Sequence, residues 1–243
     1  MKANQLMWVF LLVLLGNRWS QPSASADATN VTAAAMNIPN QPAKGQTIEE
    51  VRAKAEKGDA QAQCNLGLCY TEGKGGPTNH VEAVKWYRKA AEQNNAEAQY
   101  SLGRCYHHGQ GVATNPVEAV KWYRQAAEQN FAKAQTSLGY CYVTGLGVAK
   151  DGVEAVKWYR QASEQNHADA QLNLSLCYDD GLGVAEDGVE AYKWSLLAAA
   201  QGDERAKKRM TSLEDGMSPE QIAEGKRRAN DWLGQRKKEP AEQ

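Results

Sequence analysis

From residue 47 onward apolar side chains fall at helical intervals, and the whole pattern restarts every 36 residues. The clearest copy is EAVKWYRKAAEQN at 82–94. It returns as EAVKWYRQAAEQN at 118–130, as EAVKWYRQASEQN at 154–166 and, altered, as EAYKWSLLAAAQG at 190–202. The string A-x-A-Q keeps the same step, at 60–63, 96–99, 132–135 and 168–171. A catalytic site is assembled once, from residues that differ. A segment copied at a fixed period marks a structural unit that becomes stable only when stacked.

Each unit contains two helical patterns separated by a glycine-rich turn. In the first helix, Ala98, Leu102, Cys105 and Tyr106 stand at i, i+4, i+7 and i+8, one apolar stripe, with Ala96 and Gly103 as a small-residue strip beside it. HHGQGV, VTGLGV and DDGLGV then supply glycines where a left-handed backbone ends a helix. The second helix opens at Asn79, Asn115, Asp151 or Asp187, with Glu82, Glu118, Glu154 or Glu190 three residues on, the sequence form of a capping box. Pro116 fits the first turn. Ala119, Trp122, Tyr123, Ala126 and Ala127 form the expected buried stripe. Asn94, Asn130, Asn166 and Gly202 are residue types that tolerate the left-handed exit. A ligand-stacking role for Trp122 and Tyr123 competes with a core role, but recurrence at one register in successive helices favours core.

The stretch AEAQYSLGRCYHHGQGVATNPVEAVKWYRQAAEQ resembles the consensus of the Sel-1-like repeat (SLR) family, relatives of the tetratricopeptide repeats, over about residues 47–233. The resemblance implies an all-α fold, a right-handed α-solenoid of stacked helix-turn-helix hairpins serving as a scaffold for protein complexes. It places repeats at 59–94, 95–130, 131–166 and 167–202. Ser175 departs from the pattern of Gly67, Gly103 and Gly139. Phe131 and His167 stand where Asp59 and Asn95 would cap a helix. All three read as local weak points. TIEEVRAKAEKG (47–58) resembles a second helix without its first and is expected to cap the N-terminal side. Residues 203–243 read as a degenerate half repeat and a capping helix opened by Ser218-Pro219-Glu220-Gln221. Lys207-Lys208-Arg209 and Lys226-Arg227-Arg228 are expected on the solvated face of this end, with an anionic docking patch as the other reading.

Upstream of the repeats, Lys2 precedes the apolar run LMWVFLLVLL (6–15), and Ala24-Ser25-Ala26 offers small residues at a cleavage position. Residues 1–26 thus have the layout of a secretion signal. The run is too short for the roughly 20 residues of a membrane-crossing helix, although an uncleaved anchor is the alternative. Residues 27–46 read as a flexible linker containing the sequon Asn30-Val31-Thr32. The expectation is an exported protein, periplasmic or secreted, monomeric and without a membrane span once the signal is removed. Loss of Lys2 and Arg18 with no acid takes the balance of 28 basic and 29 acidic side chains from −1 to −3. Charges of both signs are interspersed, which gives no case for nucleic acid.

Export makes the five cysteines matter. Cys69, Cys105, Cys141 and Cys177 recur every 36 residues on the apolar stripe. Equivalent positions in successive units lie at least a helix-packing distance of about 8–10 Å apart, beyond the roughly 7 Å a disulfide allows. The second cysteines of a disulfide-bridged branch of the SLR family are absent here, replaced by Ala90, Ala91, Ala126, Ala127, Ala162 and Ser163. Five free and mostly buried thiols are therefore expected; a redox or metal site is the alternative reading, with Cys64 its only plausible exposed member. His107 and His108 are expected to point apart, and no metal-ligand spacing appears, so neither cofactor nor metal is expected. No H-E-x-x-H, G-x-S-x-G, C-x-x-C, phosphate loop or S-x-x-K occurs.

The expected function is therefore a non-enzymatic scaffold binding a partner protein or extended peptide. The alternative is a β-lactam-directed or thiol-based enzyme, as some cysteine-rich relatives are labelled. Two first-helix positions vary freely between units: Cys64, Tyr100, Thr136, Leu172, and four residues later Leu68, Arg104, Tyr140, Leu176. Each pair shares one face. The SLR resemblance implies that first helices line the concave side, so these residues would form one groove, with Asn65, Ser101, Ser137 and Asn173 as polar neighbours. The competing reading is that the leucines merely pack between helices.

Overall fold

The computed structural model describes residues 47–236; the expected signal and linker lie outside them. Within them are eleven α-helices and no strand. Helix α1 (Ile48–Glu56) precedes four hairpins: α2 (Ala60–Glu72) with α3 (His80–Glu92), α4 (Ala96–His108) with α5 (Pro116–Glu128), α6 (Ala132–Thr144) with α7 (Gly152–Glu164), and α8 (Ala168–Asp180) with α9 (Gly188–Ala200). Helices α10 (Glu204–Glu214) and α11 (Pro219–Arg236) follow. Each helix of the four hairpins has 13 residues, about 20 Å. Successive helices pack on one another in chain order, the stacking of a solenoid.

Helix boundaries follow local chemistry. Asn79, Asn115, Asp151 and Asp187 accept first-turn amides as expected. The capping box is left incomplete, because the return donor is already used. The cap residue's own N–H donates to a tyrosine carbonyl of the preceding helix, for example Asn79 to Tyr70 at 2.8 Å and Asp151 to Tyr142 at 3.0 Å. Glu82, Glu118, Glu154 and Glu190 turn instead to Lys85, Lys121, Lys157 and Lys193. Reciprocal boxes do form where that donor is available, at Thr47–Glu50 and Ser218–Gln221. Second helices end with Asn94, Asn130 and Asn166 at φ 63–65° and Gly202 at 90°. Phe131 and His167 make no side-chain cap.

Three recurring contacts set the packing. Tyr87, Tyr123 and Tyr159 lie flat against Gly67, Gly103 and Gly139, where a Cβ would approach the ring to 2.6–2.7 Å. In the fourth hairpin this pair becomes Ser175 and Ser195, both fully buried, with their hydroxyls 2.7 Å apart. Ser175 Oγ also donates to the Ala191 carbonyl at 2.7 Å, so Ser195 donates to Ser175. Ser175 is thus a compensated substitution and not the weak point expected.

The second contact is the buried glutamine of A-x-A-Q. Gln99 donates to the Ala91 carbonyl and to Asn94 Oδ1 of the preceding hairpin and accepts from Gln129 at 2.6 Å. Gln135 and Gln171 repeat the arrangement. One amide therefore ties three helices together, and a buried side chain so bonded carries no desolvation debt. Arg88, Arg124 and Arg160 add a third tie, each donating to the hydroxyl of Tyr106, Tyr142 or Tyr178 in the next hairpin.

The expected stripe needs one correction. Ala119, Tyr123, Ala126 and Ala127 are buried, but Trp122 is only half-buried and Val120 takes its place in the core. Trp158 and Trp194 are buried. Trp158 shares a cluster with Leu197, whose equivalents one and two units earlier are Gln161 and Gln125.

The C-terminal end closes on α9. Gly225 of α11 meets the Tyr192 ring, which stands where earlier units carry valine, and Trp232 packs edge-on to Trp194 at 5.8 Å. Arg209 pairs with Asp179, Arg227 with Glu224 and Asp231, and Arg228 with Glu224, Asp187 and Glu190. Arg209 and Arg228 thus tie the end helices to the fourth hairpin, while Lys207, Lys208, Lys226 and Arg227 lie on the exposed face as expected.

Candidate functional site

The first helices of successive hairpins adjoin along one face. Gln61 Nε2 reaches Glu97 at 3.5 Å, and Arg205 pairs with Asp169, each across 36 residues. Along this face the structure divides the groove residues. Cys64 and Leu172 are core, at 0% and 8% exposure, with Leu172 packed on Ala198, Ala199 and Ala206. Asn65 is buried and accepts from Gln61. Leu68, Thr136, Leu176 and Asn173 are half-buried. Thr136 bonds the Ala132 carbonyl at 2.9 Å and lies 3.3 Å from His167 Nδ1. For Leu172, then, packing between helices is the correct reading.

The centre of the face is different. Tyr100 is half-buried, its ring 5.4 Å from Phe131 and 5.9 Å from Tyr123, so Phe131 exchanges a cap for an aromatic contact. One turn on, Arg104 is exposed, with its guanidinium 6.0 Å from the Tyr100 ring. Tyr140 is half-buried on α6. The histidines belong to the same place. Their rings do not point apart as expected but lie 4.5 Å from each other, with His107 6.3 Å from both Tyr123 and Tyr140. Burial first holds both imidazoles below their ordinary range; His108 and then Arg104 add to it at His107, and Arg104 adds to it at His108. Both imidazoles therefore favour the neutral form beside the positive charge of Arg104. Sequence reasoning weighed this pair only as metal ligands. Its spacing from Arg104, three and four residues on a helix, was the missed signal. Among the described residues no cluster of three or more His, Cys, Asp or Glu could hold a metal.

A separate cleft of about 370 Å³ lies between α3 and α5, with Trp122, Gln99, Gln125 and Glu128 in its lining. The Trp122 indole N–H is buried there without an acceptor, but Trp158 and Trp194 repeat that feature where they are core. It is a property of the repeat and not of one site.

All five cysteines are free and buried, Cys64 included, so the one candidate for exposure is core as well. Burial raises every thiol: Cys105 to about 11, Cys141 and Cys177 to about 12, and Cys64 higher still, with Glu97 adding to the effect. Cys69 rises as well, chiefly through burial. A thiol kept protonated at neutral pH is a poor nucleophile. Titration of the native protein with an aromatic disulfide should therefore find no reactive thiol within minutes, and five after denaturation. A fast-reacting native thiol would show that the first-helix stripe opens.

The comparisons with known proteins agree with this architecture. The Sel1 repeat model matches residues 60–95, 96–131, 132–167 and 168–203, more than half of the chain. A Sel1 repeat protein from Oxalobacter formigenes is 36% identical with a TM-score of 0.66, the match covering 81% of this chain and 78% of that one. A protective antigen of uropathogenic Escherichia coli displaying an SLR fold is 28% identical, TM-score 0.52, over 77% of this chain and 48% of that one. No curated protein matches in a sequence search. With a 36-residue period, paired helices stacked in order and four matched units, the chain belongs to the Sel1 repeat family.

Proposed function

We propose that the protein is an exported, non-catalytic scaffold that binds a partner protein or an extended peptide along the first-helix face. Sel1 repeats commonly mediate protein–protein interaction. The observation that carries the reading is the division of labour within each first helix. Its packing positions repeat, whereas the exposed centre does not, and there Tyr100, Arg104 and Tyr140 gather aromatic area beside an available cation. Aromatic residues and arginine are the types that anchor protein interfaces. The high thiol pKa values remove support from a thiol-based enzyme, and nothing in the site favours β-lactam chemistry.

The experiment is crosslinking in intact cells with a reagent that does not cross the cytoplasmic membrane, followed by binding measurements with the recovered partner. An Arg104→Ala, Tyr140→Ala double variant should bind at least tenfold more weakly, about 1.4 kcal/mol, while its circular dichroism and melting remain close to the parent. Tyr100 is left in place because it is also core. Unchanged affinity would remove this face from the function. Failure of the impermeant reagent to reach the protein would count against export.

A further inference from the structure

We propose that this face selects an extended partner segment in which one acidic side chain sits between two apolar ones, the acid on Arg104. The inference rests on the scaffold reading and adds the chemistry of the partner. Along the hairpins the equivalent positions read Leu68, Arg104, Tyr140 and Leu176, so Arg104 is the one charge in a row of half-buried apolar side chains. Unlike Arg88, Arg124 and Arg160, which are spent on tyrosine hydroxyls, Arg104 has no hydrogen-bond or ion-pair acceptor among the described residues. Its exposed guanidinium stands 6.0 Å from the half-buried Tyr100 ring, where a carboxylate would meet a planar double donor beside aromatic surface.

Charge along the face also fixes the register. Glu72 and Asp179, at the outer hairpins, are already paired with Lys74 and Arg209, whereas Asp180 is exposed and would repel an acid placed over α8. Packed helices lie about 8–10 Å apart, and a segment extended as polyproline II rises about 3.1 Å per residue with three residues per turn, so every third side chain faces the same way at about that spacing. The matching segment is apolar-x-x-acidic-x-x-apolar, its outer side chains on Leu68 and Tyr140.

The test is selection of a displayed library of random nine-residue peptides against the full chain and against Arg104→Glu. The parent should enrich Asp or Glu with apolar residues three positions to either side, and replacing that acid by its amide should weaken binding at least tenfold. Arg104→Glu should reverse the preference to Lys or Arg at the same position. Enrichment without an acid, an unchanged preference in Arg104→Glu, or recovery of no binder would overturn the inference. The crosslinked partner separates the two readings. If its binding depends on Arg104 and Tyr140 while the library shows no acid, selectivity falls and the scaffold stands. If it ignores both residues, the two fall together.

Discussion

Gly183→Ala is expected to destabilise the fourth hairpin by about 3 kcal/mol or more, whereas Gly181→Ala, two residues earlier in the same turn, costs about 1 kcal/mol. Both glycines have left-handed backbones, at φ 70° and 65°, so both substitutions carry the cost of placing a Cβ there. Their surroundings differ. A Cβ on Gly181 would find its nearest neighbour at 3.7 Å, an ordinary contact. A Cβ on Gly183 would sit 2.0 Å from the Gly152 carbonyl, where α7 begins. Backbone cannot rotate aside as a side chain can, so the two hairpins would have to separate. The same contact recurs at Gly111 against His80 and at Gly147 against Pro116, each at 2.1 Å. Gly111, Gly147 and Gly183 therefore space neighbouring units, while Gly181 ends a helix without such a backbone contact. Urea unfolding followed by tryptophan fluorescence distinguishes them, and equal losses would show that the turn, and not the spacing, dominates.

The second large effect is a coupled one. Ser195→Tyr alone should cost about 3 kcal/mol, because the ring would take the space that Ser175 Cβ occupies; elsewhere that atom would stand 2.6–2.7 Å from a tyrosine ring carbon. Ser175→Gly alone should cost about 1–2 kcal/mol through a more flexible helix backbone and the lost hydroxyl pair. Together they rebuild the glycine–tyrosine contact of the other hairpins. The double variant should recover most of the loss, a coupling of at least 2 kcal/mol in a double-mutant cycle. Additive losses would mean that the fourth hairpin, altered also at Tyr192, Leu196 and Leu197, has a core of its own that no longer accepts the common pair.

Much of the architecture was legible in one dimension because its causes are local. The 36-residue step, the Asn and Asp caps, the glycine and asparagine exits and the apolar stripe each act within a turn or two of helix, so residue types at fixed spacing suffice to place eleven helices in order. What tertiary structure decided concerns atoms that meet across hairpins. The incomplete capping boxes follow from a tyrosine carbonyl some nine residues upstream. Cys64 and Leu172 are core rather than groove, and Trp122 is half-buried while Trp158 is not, because each depends on what the next hairpin presents. The glutamine of A-x-A-Q was visible as a repeat marker, yet its three-helix role exists only once Gln129 and Ala91 converge on Gln99. The candidate site is the same kind of object. Arg104 was readable as a varying position, but the absence of an acceptor for its guanidinium among the described residues, and the paired imidazoles beside it, are properties of the assembled face, where charge and burial are set by neighbours distant in sequence.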